Sequence, residues 1–207
     1  MTSIDRPWAP PGSPEPNRSP RELLRRLLEE VNTLDRAIYD AVAHTPTPTL
    51  DVPITWIANA ANYSRFSIAM ATALAVTGGK RGRRAAMQGL VAVGVSSLSA
   101  DLAAKHLFVR SRPDRQTGAA SRRARMPASS SFPSGHTASA FAFAGAVAAD
   151  FPQLSLPLFS LATTVGYSRI HTGVHYPADV VGGGLMGLAV ASGLQQAFHR
   201  SGRRKGK

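Results

Sequence analysis

Residues 168–198 read SRIHTGVHYPADVVGGGLMGLAVASGLQQAF, a polar segment that runs directly into an apolar one. The polar half holds Arg169, His175 and Asp179. The apolar half, residues 180–198, has no charged residue and is rich in Gly and Ala, which let helices pack closely in a bilayer. This stretch therefore predicts a membrane helix with a polar cluster at its beginning.

Three earlier apolar regions, residues 54–77, 85–108 and 137–166, extend this pattern. An acidic residue and two prolines divide the third, so the chain has five candidate spans. Arg65 and Asp101 interrupt two of them, and the divided pieces are shorter than the roughly 17–25 residues of a spanning helix. We expect an all-α fold, a multi-pass helical membrane bundle of about five to six helices; a soluble helical core is the alternative.

The N-terminal part has a different character. The first twenty residues hold six of the fifteen prolines and no apolar run, so we expect residues 1–19 to be a disordered tail rather than a signal peptide. Residues 20–45 have the period of an amphipathic helix, with Ser19 as its N-cap. The apolar face of this helix either packs against the rest of the protein or lies in the membrane interface. Residues 52–199 then form the main domain and residues 200–207 a basic tail.

The composition limits the function. The chain has 207 residues, a formal charge of +12 and only 17% charged residues, so it favours anions such as phosphate groups, acidic lipid or nucleic acid. Aromatic residues make up 7% and lie chiefly in apolar segments, which argues against a nucleic-acid-binding face. The absence of cysteine excludes disulfides, thiolate metal sites and thiol nucleophiles.

The basic residues predict an orientation in the membrane. They concentrate in the turn at residues 80–84, the segment 110–125 and the C-terminal tail, which the apolar stretches separate. The turn and the C-terminal tail together carry nine basic residues and lie on one side of the membrane. The segment 110–125 lies on the other side and carries five basic residues besides Arg112, which belongs to a polar cluster described below. Since loops rich in Lys and Arg stay in the cytoplasm, we expect a cytoplasmic C-terminus and an outward-facing 110–125 segment.

Three polar clusters lie at the ends of apolar segments on the side assigned as outer. Their residues are Lys105, Arg112 and Pro113; Pro133, Ser134, Gly135 and His136; and Ser168, Arg169, His175 and Asp179. In order and spacing they resemble the signature of the type 2 phosphatidic acid phosphatase (PAP2) superfamily, which also contains bacterial acid phosphatases and vanadium haloperoxidases. The resemblance spans residues 105–179, implies the fold of that superfamily, and identifies residues 52–199 as a PAP2-like phosphatase domain.

The same clusters suit phosphate binding on chemical grounds. Displacement at a phosphate ester needs its oxygens held by cations and amide donors already in place. Arg112 and Arg169 offer planar forks that fix orientation, whereas Lys105 mainly contributes charge. Ser134 and Gly135 open a helix whose free amides favour an anion, and glycine lets the backbone approach it.

Hydrolysis also needs a nucleophile and a proton donor, and the imidazoles are the candidates. We expect His175 to attack phosphorus and form a phosphohistidine, with Asp179, in the first turn of the following helix, holding the other ring nitrogen. His136 would protonate the leaving oxygen and then activate water. The resemblance implies these same roles, and it implies that no metal is required.

We give no catalytic role to four other histidines, His44, His106, His171 and His199. The charged residues Arg65 and Asp101 stay unassigned. The basic stretch that includes Arg122, Arg123 and Arg125 is either a solvated flexible loop or a collector of anionic lipid headgroups.

The leading hypothesis is a membrane lipid phosphatase acting at the outer face of the bilayer. The resemblance implies phosphatidate, phosphatidylglycerophosphate or polyprenyl phosphates and diphosphates as substrates. One alternative is a soluble acid phosphatase or haloperoxidase of the same superfamily, and another is a membrane protein that binds phosphate without turnover. The sequence does not determine the lipid tail or the oligomeric state.

Overall fold

The computed structural model describes residues 19–106, 110–115, 122, 124, 126 and 128–205, without the side chains of residues 63, 104–106, 199 and 201–205. The regular secondary structure of this part is entirely helical, with no β-strand, which confirms the all-α fold class. The helices are α1 Pro20–His44, α2 Pro48–Ala60, α3 Arg65–Thr77, α4 Gly79–His106, α5 Gly135–Asp150, α6 Ser155–His171 and α7 Pro177–Lys205. Short 3₁₀ helices cover Asn62–Ser64 and Pro152–Leu154.

The chain divides into two compact units, residues 1–34 and residues 35–207, with the border inside α1. In the first unit, Ser19 and Glu22 cap the helix reciprocally: the Glu22 amide donates to Ser19 Oγ at 3.3 Å, and the Ser19 amide donates to Glu22 Oε2 at 3.1 Å. This capping box agrees with the N-cap expected from the sequence. The tail at residues 1–18 lies outside the described residues.

Helix α5 occupies the centre of the second unit and packs against α4, α6 and α7. Its residues Phe143, Ala144 and Val147 join the main hydrophobic core with buried residues of α3, α4 and α6. Most core residues are small, so the helices approach closely. Such packing agrees with the high content of Ala and Gly in the apolar segments.

Helix α7 packs very closely against the beginning of α5. A Cβ atom built on Gly183 would lie 2.5 Å from the carbonyl oxygen of Ser134, and one on Gly187 would lie 2.2 Å from that of Ala138. Both distances are far too short for any other residue, so these two glycines set the spacing between the helices that carry His136 and Asp179.

The first apolar region differs from the expectation of a single span. Residues 54–77 form two helices, because the chain turns at Asn62–Ser64 and Ser64 adopts a left-handed conformation with φ of 55°. A non-glycine residue rarely adopts this conformation unless its surroundings enforce it. The division raises the number of α-helices in the described part to seven, and it places Arg65 at the beginning of α3.

Among the described residues, two helical segments are long and apolar enough to cross a membrane, Gly79–Ala103 in α4 and Pro177–Phe198 in α7. Helix α3 is apolar but shorter, and α5 and α6 have 16 and 17 residues. The basic residues at 200–205, expected to form a separate tail, instead continue α7.

Candidate active site

The three polar clusters meet at one end of the helix bundle. A cavity of about 330 Å³ lies there, and Arg112, Gly135, His136 and His175 all contribute to its wall. The other lining residues are mostly serines and small apolar residues of α3, α4 and α5. The convergence expected from the sequence is therefore present for these four residues. Ser134, Arg169 and Asp179 are buried and do not line the cavity, and the side chain of Lys105 lies outside the described part.

His175 lies in the loop between α6 and α7 and is 3% exposed. Its Nδ1 donates to the carbonyl oxygen of Ser131 at 2.7 Å. The lone pair of Nε2 is therefore free to accept, and Arg112 Nη1 donates to it at 3.3 Å. Burial lowers the pKa of His175; the neighbouring carboxylate of Asp179 opposes this shift, whereas the charge of Arg112 adds to it. The neutral form of the imidazole is thus favoured, with its lone pair on Nε2.

Asp179 lies in the first turn of α7 and is fully buried. Its Oδ2 accepts from the Tyr176 amide at 2.8 Å and lies 3.6 Å from His175 Nδ1, longer than a normal hydrogen bond. Its Oδ1 accepts from Arg110 Nη1 at 2.5 Å. In this geometry the backbone of Ser131, rather than the carboxylate, is the nearest partner of the imidazole, and Asp179 supplies negative charge beside it.

Arg112 fastens the loops around the cavity. Its Nη1 donates to the Val174 carbonyl at 2.8 Å, and its Nε and Nη2 donate to the carbonyls of Ser129 and Ser130, both at 3.0 Å. A planar guanidinium can make these contacts at once because its donors point in fixed directions, whereas a lysine ammonium cannot. Arg112 therefore holds the loop before α5 to the loop before α7.

Arg169, at the C-terminal end of α6, is 2% exposed. Its Nη1 donates to the Ala58 carbonyl at 3.3 Å, whereas its Nε has no hydrogen-bond partner in the described part of the chain. A buried guanidinium donor without a partner is unfavourable unless an anion or a polar ligand satisfies it. Arg169 therefore has a donor to offer to a bound phosphate.

His136 stands in the first turn of α5, and its Nε2 is 2.9 Å from Asn62 Oδ1. The amide of Ser134, the residue before α5, donates to the Asp179 carbonyl at 3.0 Å, which ties the beginnings of α5 and α7 together. The two imidazoles consequently face one cavity from the ends of adjacent helices.

These geometric observations agree with the comparisons to known proteins. The model of the PAP2 superfamily matches residues 85–203, more than half of the chain and all three clusters. The chain belongs to the PAP2 superfamily.

Two curated relatives are the lipid A 1-phosphatases of Rhizobium etli and Rhizobium johnstonii, each 42% identical over 53 residues. The match covers 26% of this chain but only 23% and 22% of those proteins, so the chain aligns with less than a quarter of their length.

Two solved structures are also similar. A transmembrane PAP2-type phosphatidylglycerolphosphate phosphatase from Bacillus subtilis matches with a TM-score of 0.64 and 23% identity, covering 83% of this chain and 87% of that one. LpxE of Aquifex aeolicus matches with a TM-score of 0.61 and 25% identity, covering 79% of this chain and 95% of the other. Both likenesses support the helical PAP2 fold.

The PAP2 motifs did not point to four residues that contact the site. Ser131 forms a hydrogen bond with His175, and Asn62 forms one with His136. Arg110 binds Asp179 directly, and Asp35 reaches Asp179 through Arg110. Asp35 could have been found, since it lies among the apolar positions of the amphipathic helix. The contacts of Ser131 and Asn62 depend on chain segments that are distant in sequence, so the sequence offers no signal for them.

Neither alternative given for the basic stretch, a solvated loop or a collector of lipid headgroups, describes Arg122. Its side chain is buried and donates from Nε to Asp51 Oδ1 at 2.8 Å and from Nη2 to the Thr45 carbonyl at 2.6 Å. Three further bonds go to Val42, Ala43 and Thr47 around the end of α1. The guanidinium is occupied because these carbonyls and a buried carboxylate need a donor. Arg123 and Arg125 lie outside the described residues.

The remaining unassigned residues have structural positions. His171 is buried, with Nε2 3.2 Å from Asp51 Oδ1, beside the buried Arg122 pair. Asp101 lies on α4 and lines the active-site cavity, whereas His44 is exposed at the end of α1. The side chains of His106 and His199 lie outside the described part.

Proposed function

We propose that this protein is an integral membrane phosphatase that hydrolyses a lipid phosphate or diphosphate through a phosphohistidine intermediate. The observation that carries the proposal is the meeting of two imidazoles, His136 and His175, with Arg112 around one cavity. Phosphoryl transfer depends on positioning and fixed positive charge, and this arrangement has both. The apolar length of α4 and α7 supports a substrate that lies in a bilayer.

The cations and the beginning of α5 form the phosphate site. Arg169 Nε, the charge of Arg112 and the first amides of α5 would bind the non-bridging oxygens, and Lys105 would add charge from the last turn of α4. A Cβ on Gly135 would meet Ala100 at 3.9 Å, an ordinary contact, so packing within the protein does not demand glycine there. Close approach of the phosphate to the backbone is the reason we assign to this glycine.

The reaction then has two displacements at phosphorus. In the first, His175 Nε2 bonds to phosphorus, the bond to the ester oxygen breaks, and that oxygen takes a proton from His136. The ring gains positive charge while its Nδ1–H stays bonded to Ser131, and Asp179 stabilises that charge. In the second, a water molecule gives a proton to His136 and attacks phosphorus, and the P–N bond breaks to release inorganic phosphate.

Several lipids fit this scheme. The PAP2 resemblance suggests phosphatidate, phosphatidylglycerophosphate and polyprenyl phosphates or diphosphates. The names of the similar proteins add lipid A carrying a 1-phosphate. All of these pair an anionic head with apolar tails, which suits a cationic cavity at the end of membrane helices.

We further propose that the site faces outward and the C-terminus lies in the cytoplasm. Helix α4 begins in the basic turn and ends near Lys105, and α7 begins near Asp179 and ends in basic residues. If both cross the bilayer, their basic ends share one side and the site lies on the other, as the distribution of Lys and Arg favours.

The test is phosphate release by the detergent-purified protein on a panel of these lipids, with a chelator present. We expect turnover on at least one lipid and a loss of about 10³-fold or more in kcat for His175→Ala, because no other group replaces the nucleophile. His44→Ala, which changes an exposed histidine on α1, is the matched control and should retain activity.

A trapping experiment tests the intermediate. With an aryl phosphate, whose leaving group needs no proton, His136→Ala should accumulate an acid-labile phosphoenzyme that His175→Ala does not form. Phosphate binding without turnover would favour a binding protein, and turnover confined to soluble esters would favour an acid phosphatase. A phosphoenzyme that survives acid would contradict the histidine nucleophile.

A further inference from the structure

A buried carboxylate on α1 approaches the site from outside the stretch that the family model matches. Asp35 is 3% exposed, although it belongs to an amphipathic helix whose other carboxylates are exposed. Its Oδ1 accepts from the amide of Ala178, in the first turn of α7, at 2.7 Å. Its Oδ2 forms an ion pair with Arg110. A carboxylate with two such partners is fixed in position.

Arg110 connects this carboxylate to Asp179. Its Nη2 pairs with Asp35, its Nη1 donates to Asp179 Oδ1 at 2.5 Å, and its guanidinium lies 4.7 Å from the centre of the Tyr176 ring. Burial lowers the pKa of Arg110, but the hydrogen bonds and charges of both carboxylates outweigh it, and the pKa is raised overall.

The backbone of Arg110 reaches the imidazole by a second route. Its carbonyl accepts from the Ser131 amide at 2.9 Å, and its own amide donates to Ser130 Oγ at 3.1 Å. The Ser131 carbonyl is the acceptor for His175 Nδ1. Arg110 therefore binds both groups that flank Nδ1 of His175: the carboxylate of Asp179 and the peptide of Ser131.

We propose that Asp35 and Arg110 are positioning residues for His175, acting through Asp179 and Ser131 without touching the phosphate. The proposal rests on the nucleophilic role given to His175 under the proposed function. Arg110 fixes the position of the Asp179 carboxylate, and Asp35 holds the guanidinium in the orientation that reaches it. Since both residues act on the nucleophile rather than on the phosphate site, their loss should lower kcat and leave KM nearly unchanged.

The kinetic test uses three variants of the full-length protein in detergent with the best lipid substrate. Arg110→Ala should lower kcat about 100-fold, the effect of a misplaced reacting group, with KM within about twofold. Asp35→Asn should lower kcat about tenfold, since one charge-assisted hydrogen bond is weakened. Arg110→Lys keeps the charge but cannot reach both carboxylates through a fork, so its kcat should lie between that of Arg110→Ala and the wild type.

Asp40→Asn is the matched control, since it makes the same change at an exposed position of the same helix. It should retain the kcat of the wild type. If Arg110→Ala does not fold, Asp35→Asn and Arg110→Lys carry the test. Variants that fold and keep kcat within twofold, or that raise KM alone, would overturn the proposal, while a wild type inactive on every lipid would overturn the proposed function instead.

A second readout does not depend on turnover. In the wild type, ¹⁵N spectra of labelled histidine, with His175 assigned from the His175→Ala variant, should show protonated Nδ1 and unprotonated Nε2. Arg110→Lys or Arg110→Ala should shift or broaden this Nδ1–H signal, because the Asp179 carboxylate beside it loses the guanidinium that fixes its position. An unchanged His175 signal in both variants would overturn the positioning role.

Discussion

The glycine contact between α5 and α7 gives a quantitative prediction for Gly187→Ala. The new Cβ would lie 2.2 Å from the carbonyl oxygen of Ala138, and a C···O contact needs about 3.3 Å, so the helices must separate by roughly 1 Å. Overpacking of this size costs about 1–3 kcal/mol, which lowers Tm by roughly 3–10 °C in a chain of this length. Ala138 lies two residues after His136, so the proton donor moves as well.

A displacement of about 1 Å at reacting groups can lower turnover about 100-fold. We therefore expect Gly187→Ala to lose activity even at temperatures where it remains folded. The matched control is Gly193→Ala on the same helix, where a Cβ meets nothing within 4 Å. That variant should keep its activity and match or exceed the wild-type Tm, because Ala favours helix over Gly. Thermal unfolding in detergent and lipid-phosphate turnover measure both effects, and equal behaviour of the two variants would refute the reasoning.

Two further predictions concern the imidazole and the buried arginine. Burial lowers the pKa of His175, so its imidazole should stay neutral at pH values below the usual histidine pKa of about 6.5. Activity should then be lost as pH falls through the lower pKa of His175. An acid limb of kcat/KM centred above about pH 6.5, after correction for substrate ionisation, would contradict this. Arg122→Met removes the ion pair between Arg122 and the buried Asp51, and the resulting loss of about 3–5 kcal/mol in the free energy of unfolding should lower Tm by roughly 10 °C. The double variant Arg122→Met/Asp51→Asn should recover part of that loss, and a single-variant Tm within 2 °C of wild type would argue against a structural role.

The location of the site was predictable because its motifs are local in the chain. Cluster spacing places His136 at a helix beginning and Asp179 one turn beyond His175, and both positions follow from the period of a helix and the preferences of Pro and Gly. The division of residues 54–77 at Asn62 was not predictable, because apolar residues continue on both sides of the short polar stretch at 62–65, a pattern that a single helix also fits. The chain turns there, with Asn62 bonded to His136 and Ser64 strained, and both features depend on tertiary contacts.

The roles of the charged side chains divide in the same way. The sequence by itself determined the helical class, the basic ends of the helices and the three polar clusters that supply the proposed phosphate-binding and imidazole residues, since these depend on composition, periodicity and short-range spacing. Only the tertiary structure decided which arginine is buried against Asp51, which carbonyl holds His175, and that Asp35 and Arg110 stand beside Asp179. The physical reason is that a charge is stabilised by whichever opposite charge or dipole folding brings within hydrogen-bond distance, and those partners lie as many as 143 residues away in the chain.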